Sequence, residues 1–311
     1  MINVEHLTKK YNDLTAVDDL SFTISEKQVV GLLGPNGAGK STTMRMLTGY
    51  LAPSSGRVLI DGKDMQAQPL EARRRIGYLP ELPPLYPDFT VREHLKFVCS
   101  LRGVDAGAES AEIARVCEAL NITDVNGRMI RKLSKGYRQR VGFAASLIGR
   151  PSFLILDEPT VGLDPAQIYE IRSLIEQLSG EMSILISSHI LSEISSVCDS
   201  LLILRRGRLV AKGTKEQIER AMRGETRIEL VAKGDMSRLR TLVQTAVPSA
   251  KAAWEPADGG AVRCILICPA ALDPRAQLFR AFADRKNDTT LLTMRPLDKS
   301  LEDIYLEIVQ S

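Results

Sequence analysis

Gln28-Val29-Val30-Gly31-Leu32-Leu33-Gly34-Pro35-Asn36-Gly37-Ala38-Gly39-Lys40-Ser41-Thr42 decides the fold of this chain. Gln28 to Leu33 is an apolar run that reads as a strand, and a helix is expected from about Lys40 to Gly49. Between them, Gly34 to Ser41 fits the pattern G-x-x-x-x-G-K-[ST]. Glycines at this spacing let backbone N–H groups turn inward around phosphate oxygens, and a helix N-terminus adds a favourable dipole. Lys40 then places a positive charge at the β- and γ-phosphates, and Ser41 offers its hydroxyl to Mg²⁺. The stretch predicts ATP held along Gly34, Pro35, Asn36, Gly37, Ala38, Gly39, Lys40, Ser41 and Thr42.

The rest of the pattern builds outward from this loop. Upstream, Val17 to Ser25 alternates in part with period 2, as a half-buried strand does. Downstream, Pro53-Ser54-Ser55-Gly56 turns into a strand from Arg57 to Ile60 that Asp61-Gly62 closes. From Val91 to Ile148 apolar residues recur at helical spacing (Val91, Leu95, Val98, Leu101; Ile113, Val116, Cys117, Leu120), which predicts a helical insert. Phe153 to Leu156 is wholly apolar, as in a parallel strand covered on both faces, and a helix from about Pro165 to Leu178 leads to a strand at Ser183 to Ser187. Strand, helix and strand at short spacing mean an α/β core.

The character shifts near Gly213 to Gly224. After a short helix, Lys215 to Met222, the tail reads strand (Thr226–Ala232), helix (Met236–Val247), strand (Lys251–Trp254) and strand (Ala261–Cys268). Helix (Asp273–Asp284), strand (Thr290–Met294) and helix (Ser300–Val309) complete it, with Ser300 and Asp303 forming a capping box. The β-α-β-β-α-β order predicts a small ferredoxin-like α+β module. Two domains follow: residues 1–223, with a helical subdomain at about 89–150, and residues 224–311.

A second constellation carries chemistry. Phe153-Leu154-Ile155-Leu156-Asp157-Glu158-Pro159 sets two carboxylates at the end of a buried strand. There Asp157 can hold Mg²⁺ and Glu158 can orient or deprotonate an attacking water; alternatively, the acids cap the next helix. His189, just past the next strand, is within reach of a γ-phosphate donor role or a structural one. Leu133-Ser134-Lys135-Gly136-Tyr137-Arg138-Gln139-Arg140 opens a helix with Ser134 as N-cap, a second anion-binding helix end. One nucleotide needing two helix ends so far apart points to a second copy of the chain.

Bulk properties bound the alternatives. A net charge of +3 over 311 residues is too small to argue for a nucleic-acid surface, and Arg73-Arg74-Arg75 reads as a solvated helix face. The five cysteines have no C-x-x-C spacing, and Cys264 and Cys268 share one face of a strand as buried small hydrophobes. A reducing cytoplasm is the natural compartment. MINVEHLTKKY has no apolar h-region, and no apolar stretch approaches the ~20 residues that span a bilayer. Any membrane role must run through a partner.

In order and separation these motifs resemble the ATP-binding subunits of ABC transporters over residues 1 to about 215. GPNGAGKST resembles the Walker A motif, LSKGYRQR the signature, LILDEP the Walker B motif, Gly162-Leu163-Asp164 the D-loop and His189 the switch histidine. Tyr11 falls where the family stacks an aromatic on adenine. The α+β tail and the SLEDIYLEIV ending are similar to ATPases of ABC-2-type exporters, including those for gliding motility and multidrug or sodium efflux. The resemblance implies a P-loop NTPase fold and ATP hydrolysis with Mg²⁺ bound by Ser41, Glu81 and Asp157. It also implies a head-to-tail homodimer in which Ser134, Lys135, Gly136 and Tyr137 of one chain face the ATP of the other. A transmembrane permease would hold the chain at the inner face of the cell membrane, docking near Leu82 to Phe89. Two positions depart from the family. Glu81 stands where its Q-loop glutamine falls, and Lys135 and Tyr137 replace the commoner Gly and Gln. A soluble ABC ATPase acting on ribosomes or DNA would carry paired halves or a coiled-coil insert, and neither is present.

Overall fold

Val29-Val30-Gly31-Leu32-Leu33 is buried at every position. A strand achieves this only with partners on both edges and cover on both faces. The computed structural model, which describes residues 1–222, 225–269, 273–284, 288–297 and 301–310, supplies both. The chain divides into two compact units, Met1–Lys215 and Glu216–Gln310.

The first unit opens with β1 (Ile2–Tyr11), β2 (Leu14–Ile24) and β3 (Val29–Leu33), followed by α1 (Lys40–Leu47), β4 (Ser55–Ile60) and β5 (Lys63–Asp64). A short helix, α2 (Pro69–Arg74), leads to β6 (Ile76–Leu79). Helices α3 (Val91–Arg102), α4 (Glu109–Ala119) and α5 (Lys135–Leu147) form the helical insert. The chain then returns through β7 (Phe153–Asp157), α6 (Pro165–Ser179), β8 (Ser183–Ser188), α7 (Leu191–Ile194), β9 (Ser200–Arg205) and β10 (Arg208–Gly213).

Two sheets result. One runs β2-β1-β4-β5, antiparallel throughout; the other runs β10-β9-β3-β8-β7-β6, parallel from β9 to β6. A core shared by Leu7, Leu20, Leu32, Met44, Leu47 and Ile155 packs the two sheets around α1. In the parallel sheet the C-terminal ends of β3, β7 and β8 lie side by side, because Leu33 pairs with Ser188 and Asp157 with Ser187. In open α/β sheets ligands bind outside these ends.

Local signals set the helix starts. Thr90 and Glu93 form a capping box on α3, and Gly103 ends that helix at φ 70°, which glycine adopts without steric cost. Ser134 caps α5 by accepting from the Tyr137 N–H at 3.3 Å. Asp164 and Gln167 box the start of α6, with Pro165 in its first turn. Strands β6, β9 and β10 escape periodicity, since β6 follows directly on the Arg73–Arg75 run and β9 is a short continuous apolar segment. The strand expected at Val17–Ser25 runs from Leu14 to Ile24, its first residues extending the hairpin with β1.

The second unit contains nearly all of α8 (Lys215–Met222), then β11 (Glu225–Lys233), α9 (Met236–Ala246), β12 (Lys251–Ala257), β13 (Ala261–Pro269), α10 (Arg275–Ala283), β14 (Thr290–Pro296) and α11 (Leu301–Gln310). The boundary between the two compact units falls at the head of this short helix. Its sheet runs β12-β13-β11-β14 with all neighbours antiparallel. Ile228, Leu230, Cys264, Leu266 and Cys268 face α9 and α10 across one core, so both cysteines are buried as their spacing requires. The Ser300 cap lies outside the described residues. No helix among the described residues is long and apolar enough to cross a membrane.

Candidate active site

The loop from Gly34 to Gly39 joins β3 to α1, and its backbone explains its glycines. Gly37 and Gly39 stand at φ 79° and 102°, where side chains other than glycine are strained. A Cβ at Gly39 would also lie 2.6 Å from the Ala16 carbonyl oxygen, and one at Gly34 would lie 2.5 Å from that of Leu204. The loop is therefore pinned between β2 and β9.

A cleft of about 1010 Å³ is lined by Tyr11, Leu14, Thr15 and Ala16 at one end and by Pro35 through Thr42 along its floor. Glu81, Glu158, Val161, His189 and Arg206 complete the wall. Tyr11, the phosphate loop, Glu81, Glu158 and His189, far apart in sequence, are thus brought to one site. Ser134, Lys135, Gly136, Tyr137 and Asp164 do not line it.

Buried polar contacts set the geometry of the wall. The Lys40 ammonium donates to the carbonyls of Gly34 at 2.7 Å and Pro35 at 3.3 Å, and lies 3.4 Å from Glu158 Oε1. The His189 Nδ1 approaches Glu158 Oε2 at 2.7 Å. Glu158 therefore spans a cation and an imidazole, one on each carboxylate oxygen. Its backbone is in the left-handed region at φ 50°, a sparsely populated conformation of the kind that gathers at functional sites.

Asp157 sits deeper, only 4% exposed. Burial pushes its carboxyl pKa up; the charge of Glu158 acts in the same direction, and hydrogen bonds from Ser187 and Ser41 act against both. Ser187, a strand end in the sequence pattern, joins the two acids. Its Oγ donates to Asp157 Oδ1 at 2.6 Å and accepts from the Glu158 N–H at 2.9 Å. The sequence signal is a hydroxyl residue near the end of an apolar strand, two places before His189.

The helix that Ser134 caps is tied to the same region from behind. Gln139 donates to the Pro159 carbonyl at 3.3 Å, and a Cβ on Gly136 would lie 2.6 Å from the Gln167 side chain. A Cβ on Gly162, whose φ is 71°, would fall on the Lys135 ammonium. The signature and the D-loop of one chain are thus packed on each other, outside the cleft.

A parallel sheet with a glycine loop at a helix N-terminus and paired acids on the adjoining strand define a P-loop nucleotide-binding protein. Known proteins narrow this. The model of the ABC transporter family matches residues 17–161. The chain is 35% identical over 242 residues to the ABC transporter ATP-binding protein YhaQ of Bacillus subtilis, covering 78% of this chain and 80% of that one. It is 37% identical over 211 residues to the lantibiotic transport ATP-binding protein SrtF of Streptococcus pyogenes, covering 68% and 89%. A solved ATP-binding subunit of an ABC transporter superposes with a TM-score of 0.66 at 31% identity, over 71% of this chain and 92% of that one. The chain belongs to the family of ABC transporter ATP-binding proteins, and its activity is ATP hydrolysis.

Proposed function

We propose that this ATPase energises an ABC-2-type exporter by closing as a head-to-tail homodimer over ATP. The observation that carries the chemistry is the Glu158 carboxylate at the cleft wall, 3.4 Å from the Lys40 ammonium and 2.7 Å from His189. In this reading ATP lies with its base against Tyr11 and its phosphates along Gly34 to Thr42. Lys40 leaves its loop carbonyls for the β- and γ-phosphate oxygens. Glu158 accepts the proton of the attacking water, and His189 holds Glu158 and donates toward the γ-phosphate.

The residues present fit Mg²⁺. Ser41, Asp157 and Glu81 are hard oxygen donors, and Ser41 already hydrogen-bonds Asp157. Magnesium, when bound, neutralises charge on the phosphate oxygens. Burial raises the Asp157 carboxyl pKa, and a bound cation would favour its ionised form.

The dimer reading rests on what the cleft lacks. Ser134, Lys135, Gly136 and Tyr137 begin a capped helix and do not line their own cleft, so in this reading their anion-binding end serves a partner's γ-phosphate. Asp164 caps α6 and, in this reading, belongs to the same interface. Closure excludes water from the reacting phosphate.

For the permease, Leu82, next to Glu81 in sequence, is 80% exposed, and Tyr86, Phe89 and Phe97 stack into an exposed aromatic cluster. An exposed apolar face soon after a cleft residue in the chain suits a docking helix of the membrane subunit. The location follows: cytoplasmic, on the inner face of the membrane. A relative is named for lantibiotic transport, and export is the direction proposed here. Residues 1–223 are the ATPase domain in this proposal. Residues 224–311 form a ferredoxin-like module that stabilises or regulates the dimer.

Glu158→Gln tests the core of this reading. It retains ATP binding, lowers hydrolysis roughly 10²-fold or more, and elutes as a dimer in ATP on size-exclusion chromatography. Turnover at the normal rate would remove Glu158 from its role. A monomer at saturating ATP would remove the sandwich.

A further inference from the structure

We infer that Arg206 is a nucleotide-binding residue whose guanidinium contacts the α-phosphate of ATP; the inference rests on the cleft being the ATP site. Arg206 lies outside every motif named above, in the turn between β9 and β10, and yet lines the cleft. Among the described residues it has no hydrogen-bond or ion-pair partner, whereas its neighbour Arg208 is committed to Asp18 at 2.7 Å.

The turn is fixed to the site by its backbone. The Gly207 N–H donates to the Ala38 carbonyl at 3.0 Å, and its own carbonyl accepts from the Asp18 N–H at 2.8 Å. A Cβ on Gly207, at φ 78°, would stand 2.8 Å from the Ala16 oxygen, the same atom that crowds Gly39. Three backbones, from β2, the phosphate loop and this turn, are thus interlocked. Arg206, itself left-handed at φ 48°, is carried on the tightest part of that joint.

Position selects the ligand group. Ala16 ends the wall where Tyr11, Leu14 and Thr15 receive the base, and Ala38 lies midway along the loop whose far end holds Lys40. A cation anchored between Ala16 and Ala38 falls where base and ribose give way to phosphate. The α-phosphate is anionic in ATP, ADP and AMP alike, and a guanidinium meets its oxygens with a planar, charge-assisted fork. Lys40, occupied at the loop interior, leaves that position to Arg206.

The test is calorimetric titration of the full chain with ATP, ADP, AMP and adenosine, using Arg206→Ala and Arg206→Asn. Asn tolerates the left-handed backbone, so it removes the charge without straining the turn. Both variants raise Kd for all three nucleotides by about fivefold, an exposed charge-assisted contact being a modest one, and leave adenosine unchanged. Unchanged nucleotide affinity overturns the assignment, as does a loss confined to ATP or one that extends to adenosine. Lys40→Ala, run alongside, separates the two readings. If the wild-type chain binds ATP and only Lys40→Ala weakens it, Arg206 alone is misassigned. If the wild type binds no ATP, the cleft itself is.

Discussion

Replacing Ser187 by alanine removes one atom from the centre of the catalytic wall. Ser187 is fully buried, and its Oγ is shared by Asp157 Oδ1 at 2.6 Å and the Glu158 N–H at 2.9 Å. The substitution withdraws a hydrogen bond from a carboxylate, about 1.5–3 kcal/mol, and strands a buried N–H, about 1–3 kcal/mol. Because one atom serves both, the losses overlap, and a net destabilisation of about 3 kcal/mol is expected. Kinetics change for a separate reason. Glu158 is held at φ 50°, a conformation that costs roughly 1–2 kcal/mol, and the bond to Ser187 helps keep it there. Without that bond the backbone relaxes and the carboxylate leaves its place between Lys40 and His189. Misplacement of about 1 Å can cost on the order of 10²-fold, so kcat should fall at least tenfold. ATP affinity, set by the loop, should stay within about twofold. Urea denaturation and steady-state ATPase assays measure both effects. If Ser187→Ala unfolds within about 0.5 kcal/mol of wild type and keeps its kcat, then Ser187 is packing only and the coupling argument is wrong.

Two further outcomes follow from the same wall. Lys40→Ala removes the ammonium from the loop, and nucleotide affinity should fall at least tenfold by calorimetry, a lost charge-assisted contact in a partly desolvated site. Undiminished affinity would contradict the phosphate cradle. Asp157→Asn should separate stability from function. Burial raises the folded-state pKa of Asp157 above its unfolded value, so its contribution to stability is fully present below the unfolded pKa and is lost as pH rises through the folded one. At neutral pH with EDTA the neutral asparagine should therefore raise the thermal midpoint, while Mg²⁺-dependent hydrolysis collapses. A lower midpoint for Asp157→Asn at pH 7 would show that burial is not what dominates this carboxyl.

Much of this molecule was legible in one dimension. The phosphate loop, the paired acids, the capped signature helix and His189 are contiguous patterns, each with a local physical cause. A loop that must bend at φ 79° and 102° has to contain glycine, and a strand buried on both faces has to be apolar. Helix ends need caps, which Thr90, Ser134 and Asp164 supply from within a turn of the helix they start. The βαββαβ order of the tail was readable on the same grounds, whereas β6 and β9 were too short to carry a period.

Contacts between distant segments were decided only by folding. A hydroxyl near His189 does not by itself make Ser187 the bridge between Asp157 and Glu158, because that role exists only once β7 and β8 pair in register. Arg206 is one basic residue among many until Gly207 bonds Ala38 and carries it to the cleft. The signature's exclusion from its own cleft is likewise a fact of packing, fixed by Gln139 on Pro159 and Gly136 against Gln167. Sequence encodes what a residue does to its own backbone and near neighbours. Which side chains meet across the sheet depends on strand order and register, which are properties of the whole core.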